Sequence, residues 1–145
     1  MFAPNVRRGE GVKLDRAVFR YIEHELYSYE ETVRQLEMLK DDIIQETPFR
    51  ATGTDSGISN LTESKGLRLV TNRAIVRLEN TVRAIDDALA LLSEAHRDLC
   101  ELKYRQRKPW RQICEEMPTS ERSYFRMRRE IVEAVALEMG FIKQA

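Results

Sequence analysis

PWRQICEEMPTSERSYFRMRR, residues 109–129, is the stretch on which the reading of the whole chain depends. It reads as two helices with a tight turn between them. Proline at 118 cannot continue a helix, so the first one must stop there. Ser120 follows, with a hydroxyl that can accept from the free N–H groups of a new first turn. Projected at the helical period, Tyr124, Met127, Ile131, Ala134 and Val135 fall on one side of the second helix. Arg122, Phe125, Arg126 and Arg129 fall on the other. One side can pack, while the other offers guanidiniums around an aromatic ring near the helix N-terminus. A helix of that kind can enter the major groove, where Arg reaches guanine N7 and O6 or grips phosphate.

Around this stretch the pattern is helical throughout. The chain has 145 residues, a third of them charged, with few Gly and Pro, and its net charge is zero. That composition, with apolar residues at threes and fours, predicts an all-α protein. The charge is unevenly placed. Residues 97–129 carry ten basic and five acidic groups, whereas residues 1–48 carry seven and ten. Positive potential is therefore expected at the two C-terminal helices and not over the whole molecule.

Working outward, Glu94–Tyr104 is expected as a supporting helix capped by Ser93. Pro109 fits the first position of the next helix, where its missing N–H costs nothing. In that helix Trp110, Ile113, Cys114 and Met117 are expected inside, and Arg111, Gln112 and Glu115 outside. Gly140 is a left-handed stop for the last helix. Leu61–Leu92 is the longest periodic segment, and about 30 residues of helix span about 45 Å. Such a spine can pack against the rest of the chain or against a partner, so a homo-oligomer, most simply a dimer, is expected. Residues 47–60 read as a loop containing Pro48, Gly53 and Gly57. Lys13–Ser28 and Glu30–Gln45 read as an N-terminal helical hairpin or sharp bend, and residues 1–12 as a flexible arm. The expected division is a scaffold over 13–92 and a DNA-reading part over 93–145.

Catalysis is not expected. Glu23, His24 and Glu25 are consecutive helix residues and cannot converge on one atom. Neither a phosphate-binding GxxxxGK[ST] nor a nucleophile elbow occurs. Cys100 and Cys114 read as buried thiols, and with His24 and His96 far apart in sequence no metal site or cofactor is expected. The chain shows no signal peptide or membrane-spanning run, so a cytoplasmic protein is expected.

Several segments together carry a family resemblance. They are RYIEHELYSYEET at 20–32 with the following DDIIQETP, LVTNRAIVRLENTVRAID at 69–86, and LCELKYRQRKPWRQICEEMPTSERSYFRMRREIV at 99–132. In order and spacing the chain resembles the phage late transcriptional activators of the RinA and ArpU type. The resemblance implies a C-terminal part similar to region 4 of sigma factors, a helix-turn-helix that reads promoter DNA. It implies an activator of late genes that binds double-stranded DNA and works with host RNA polymerase or its sigma subunit. Ser120, Glu121, Arg122, Ser123, Phe125 and Arg126 occupy the corresponding exposed positions. Arg129, Lys108, Arg111 and, as a further candidate, Arg107 would hold phosphate. One departure is clear: the family's turn carries Leu-Gly-hydrophobic-Ser, and this chain has Met117-Pro118-Thr119-Ser120. The alternative is a small terminase subunit that recognises a packaging site. In those proteins the DNA-reading part commonly comes first, whereas here it comes last.

Overall fold

A computed structural model describes residues 13–46 and 58–142, with side chains from 13–44 and 65–142. The expected arm at 1–12 and most of the expected loop at 47–60 lie outside the described residues.

Every regular element among the described residues is helical. Helix α1 spans Arg16–Tyr27, α2 Tyr29–Glu46, α3 Ile58–Leu91, α4 Glu94–Cys100, α5 Trp110–Glu116 and α6 Glu121–Met139. A π-helical turn, Glu101–Arg105, extends α4 without a break. The fold is all-α, as composition and periodicity lead one to expect.

Local chemistry sets most of the boundaries. The Asp15 side chain caps α1 by accepting from the Ala17 amide, and Ser93 caps α4 by accepting from the His96 amide. Pro109 is the N-cap of α5, one position before the first helical residue where it was expected; its extended ψ of 153° suits a cap, not a helical turn. Helix α6 ends at Gly140, whose φ of 85° is left-handed. There Phe141 N donates to Ala136 O at 2.9 Å and Gly140 N to Leu137 O at 3.2 Å, the paired bonds of a Schellman stop. The Arg97 guanidinium donates to Leu89 O at 3.1 Å and Leu92 O at 2.7 Å, so a cation occupies the negative end of α3.

α3 begins at Ile58, three residues before the periodic run at Leu61. Ser59 and Asn60, expected in the loop, lie in its first turn, where short polar residues are well tolerated. At 34 residues α3 is about 51 Å long at 1.5 Å per residue. Only Ser28 separates α1 from α2, and its N–H still bonds to His24 O at 3.0 Å. With so little chain between them the two helices take different partners. α1 lies on α6 and the π turn, and α2 lies on α3.

One apolar core joins both ends of the chain. Ile22 and Leu26 of α1, Ile85 and Ala88 of α3, Leu99 of α4 and Ile113 of α5 close around α6. Ile131, Val132, Val135 and Ala136 of α6 are fully buried. The core thus crosses the expected division at residue 92/93. Burying each such aliphatic side chain is worth about 1.5–3 kcal/mol, so this cluster dominates the packing energy.

Candidate nucleic-acid interface

The side chains of α6 divide as its spacing dictates. Tyr124 and Met127 are buried with Ile131 and Val135, and Ala134 is partly buried. Val132, Ala136 and the half-buried Arg128 extend the packed side beyond the expected stripe. Arg122, Phe125, Arg126 and Arg129 are exposed together on the opposite side. Glu121 is exposed beside them in the first turn.

The turn before α6 needs no left-handed residue. Met117 is extended at φ −100° and ψ 105°, the region that a following proline demands. Its N–H bonds to Ile113 O at 2.8 Å and closes α5. Among the described residues only Arg107 and Gly140 have positive φ, so the turn at Pro118 is made without a glycine. Ser120 then caps α6, its hydroxyl accepting from Ser123 N at 3.1 Å and donating to Ser123 Oγ at 3.0 Å. The two serines lock the first turn whose outer side bears Arg122 and Arg126.

Aromatic contacts fix where that side points. The Phe125 ring lies 5.0 Å from the buried Tyr124 ring, edge to face, and 6.0 Å from Trp110 on α5. Phe125 is 40% exposed, a ring held from below and open above. The exposed Arg111 lies over Trp110 at 5.4 Å. A continuous strip therefore runs Arg111, Trp110, Phe125, Arg122 and Arg126.

Two of the expected phosphate contacts are already engaged. Lys108 Nζ lies 2.8 and 2.7 Å from the two carboxylate oxygens of Glu116 and is only 25% exposed. That hydrogen bond, with a second from Gln112, holds the Glu116 carboxyl below its ordinary value. Arg107, at φ 54°, lies over the Tyr27 ring at 5.2 Å. Arg126 makes a loose 3.5 Å contact to Glu130 and remains 62% exposed. No ion pair to Arg122 or Arg129 occurs among the described residues.

Behind the strip lies a polar knot that periodicity gave no sign of. Arg128 Nε donates to Glu23 Oε2 at 3.0 Å across 105 residues of chain, and Tyr104 Oη donates to the same oxygen at 2.8 Å. Lys103 sits among the Tyr27, Tyr104 and Tyr124 rings at 5.5, 5.3 and 6.0 Å and donates to Tyr27 Oη at 3.1 Å. Burial pushes the Glu23 carboxyl up. Hydrogen bonds from Arg128 and Tyr104, and the positive charges of Arg128 and Lys103, outweigh it and hold the pKa below its ordinary value. Burial pushes the Tyr104 hydroxyl strongly up, so it stays a donor. The knot ties α1, the π turn and α6 into one support. Its only sequence signal was a glutamate in a helix stripe, which reads equally well as a solvated charge.

On the other flank, His96 Nδ1 lies 2.6 Å from Ser93 Oγ, and His96 Nε2 lies 2.6 Å from Glu130 Oε2. The serine also caps α4, so this chain pins α4 to α6. No group of three His, Cys, Asp or Glu able to hold a metal occurs among the described residues. Nor is any helix there long and apolar enough to cross a membrane. Burial pushes the Cys100 thiol up to about 12.

Fold and surface together define a small all-α protein with an exposed basic and aromatic strip on its last helix. The chain belongs to a family described as a protein of unknown function, DUF722, which it matches over residues 22–136. No curated protein and no solved structure matches it.

Proposed function

We propose that the protein is a sequence-specific DNA-binding transcriptional regulator, a phage or prophage activator of late genes that acts with host RNA polymerase. In this reading α5 and α6 form a helix-turn-helix, and α6 is the recognition helix. Arg122, Phe125 and Arg126 face the bases, while Arg111 and Arg129 hold phosphate. Ser120 and Ser123 set the first turn at the groove.

One observation carries the reading. The first turns of α6 present three exposed arginines around an open Phe125 ring, while the same helix is clamped from behind by the apolar core and by Glu23. A solvated helix face has no need of such support. A recognition helix does, because base contacts require its side chains held to a fraction of an ångström. The step from DNA binding to late-gene activation rests on the family resemblance in the sequence.

The test is to capture sheared genomic DNA of the host and its prophage on the folded protein and to sequence it. Enrichment just upstream of a packaging or structural operon is the expected result. A single peak at a packaging end would replace the activator with a small terminase subunit. No enrichment at low salt would refute DNA reading altogether.

A further inference from the structure

α3 carries a second, exposed surface outside the apolar core. From Lys65 to Val70 every side chain is exposed, with Leu67, Leu69 and Val70 at 69%, 53% and 67%. Leu69 and Val76 are seven residues apart, and Asn72, Arg73, Asn80 and Arg83 share their side of the helix. This side walls a groove of about 850 Å³. Across it stand Tyr21 of α1 and Phe141, packed edge to face at 5.9 Å. Tyr21, Val76 and Phe141 are each about half exposed, so the groove is apolar and open. Its rim is basic: Arg73, Arg77 and Arg83 outnumber Asp87 and Glu138. None of the three arginines makes an ion pair among the described residues.

The outer face of α2 has the complementary character. Thr32 and Leu36 are buried on its inner side, whereas Met38 is 65% exposed. Glu31, Asp41 and Asp42, at seven, three and four residues from Met38, lie on the same face, as does Arg34, which pairs with Glu31 at 3.7 Å and leaves Asp41 and Asp42 as the unpaired charges there among the described residues. Over residues 29–46 the helix carries six acidic and two basic groups. Asp41 and Asp42 make no ion pair among the described residues. A methionine beside the two carboxylates of Asp41 and Asp42 is thus left outside, and an apolar groove rimmed by guanidiniums is left open. Methionine suits such a seat, since its thioether packs readily against aromatic rings.

We propose that this groove receives the outer face of α2 from a second copy of the chain, and that two such contacts close a two-fold dimer. A symmetric α3–α3 pairing through the same face is disfavoured, because it would set the Lys65, Arg73 and Arg77 cations of one copy against the same basic group of the other. The acidic helix of a second chain removes that conflict and covers Val76, Tyr21 and Phe141. The proposal is independent of DNA binding, and its test uses no DNA.

The experiment measures mass by light scattering across protein concentration, for the full chain and two charge reversals. Arg73→Glu alters the groove, and a variant with Asp41→Lys and Asp42→Lys alters α2. All three positions are exposed, so helix content should stay unchanged. The wild-type chain is expected as a dimer that weakens with salt. Each reversal is expected to raise its dissociation constant about tenfold or more, and mixing the two variants should restore a dimer between them. A wild-type chain that stays monomeric overturns the proposal. So does a dimer indifferent to either reversal, or a mixture that does not recover.

Discussion

Arg128 and Glu23 stand 105 residues apart in the chain and are bonded side chain to side chain, Nε to Oε2 at 3.0 Å, directly behind the exposed strip of α6. The bond has one partner on α1 and the other on α6, so it joins the N-terminal helix to the helix that carries Arg122 and Arg126. It also leaves α6 with arginines of two kinds, one turned inward for support and three turned outward.

Because the Glu23 pKa is lower in the folded protein than its ordinary 4.5, the carboxylate stabilises the fold above that value. The contribution disappears as pH falls below 4.5 and through the lowered folded value. Thermal unfolding followed over the acid range should show a falling Tm, and Glu23→Gln should flatten that fall. At neutral pH Glu23→Gln should cost about 1–3 kcal/mol, as expected for losing charge-assisted hydrogen bonds. An unchanged Tm would show that the bond carries no weight in the fold.

Arg122→Ala and Arg126→Ala should each cost about 1–3 kcal/mol on a specific site and relax the choice of base there. Arg129→Ala should weaken specific and random DNA alike and lower the salt slope by about one. Equilibrium binding to both DNAs at several salt concentrations separates the two behaviours. Equal losses on both for Arg126→Ala would remove it from base reading.

Lys108 is held by Glu116, so its removal should matter less to DNA than removal of the exposed Arg111. Glu116→Gln should release the ammonium and tighten binding to random DNA at low salt. The same titrations decide this. A larger loss from Lys108→Ala than from Arg111→Ala would mean that the pair opens on DNA.

The two ends of α6 can be tested by stability alone. Ser120→Ala removes the bond to the Ser123 amide and should cost about 1 kcal/mol. Gly140→Ala forces a side chain into a left-handed residue and should cost about 1–2 kcal/mol. Nothing lies within 4 Å of an added Cβ there, so the cost is backbone strain and not a clash. Denaturant melts of both variants check the values, and a neutral Gly140→Ala would contradict the strain argument.

Periodicity, caps and stops depend on residues a few positions apart, and for that reason the sequence alone determined the helices. Tyr124, Met127, Ile131 and Val135 are buried and Arg122, Phe125, Arg126 and Arg129 exposed because one helical turn repeats every 3.6 residues. Ser93, Ser120 and Gly140 bound their helices for equally local reasons. The tertiary structure decided which polar groups meet. Glu23 with Arg128, Lys103 among three tyrosines, and His96 with Glu130 are contacts between distant segments, and a charge in a helical stripe carries no mark of its partner. Tyr21 shows the same limit, standing on the rim of a groove beside Phe141, a partner from the far end of the chain that its own helix does not indicate. Local pattern specifies a side chain's direction from its own helix axis. Only the packing of one axis against another specifies what it finds there.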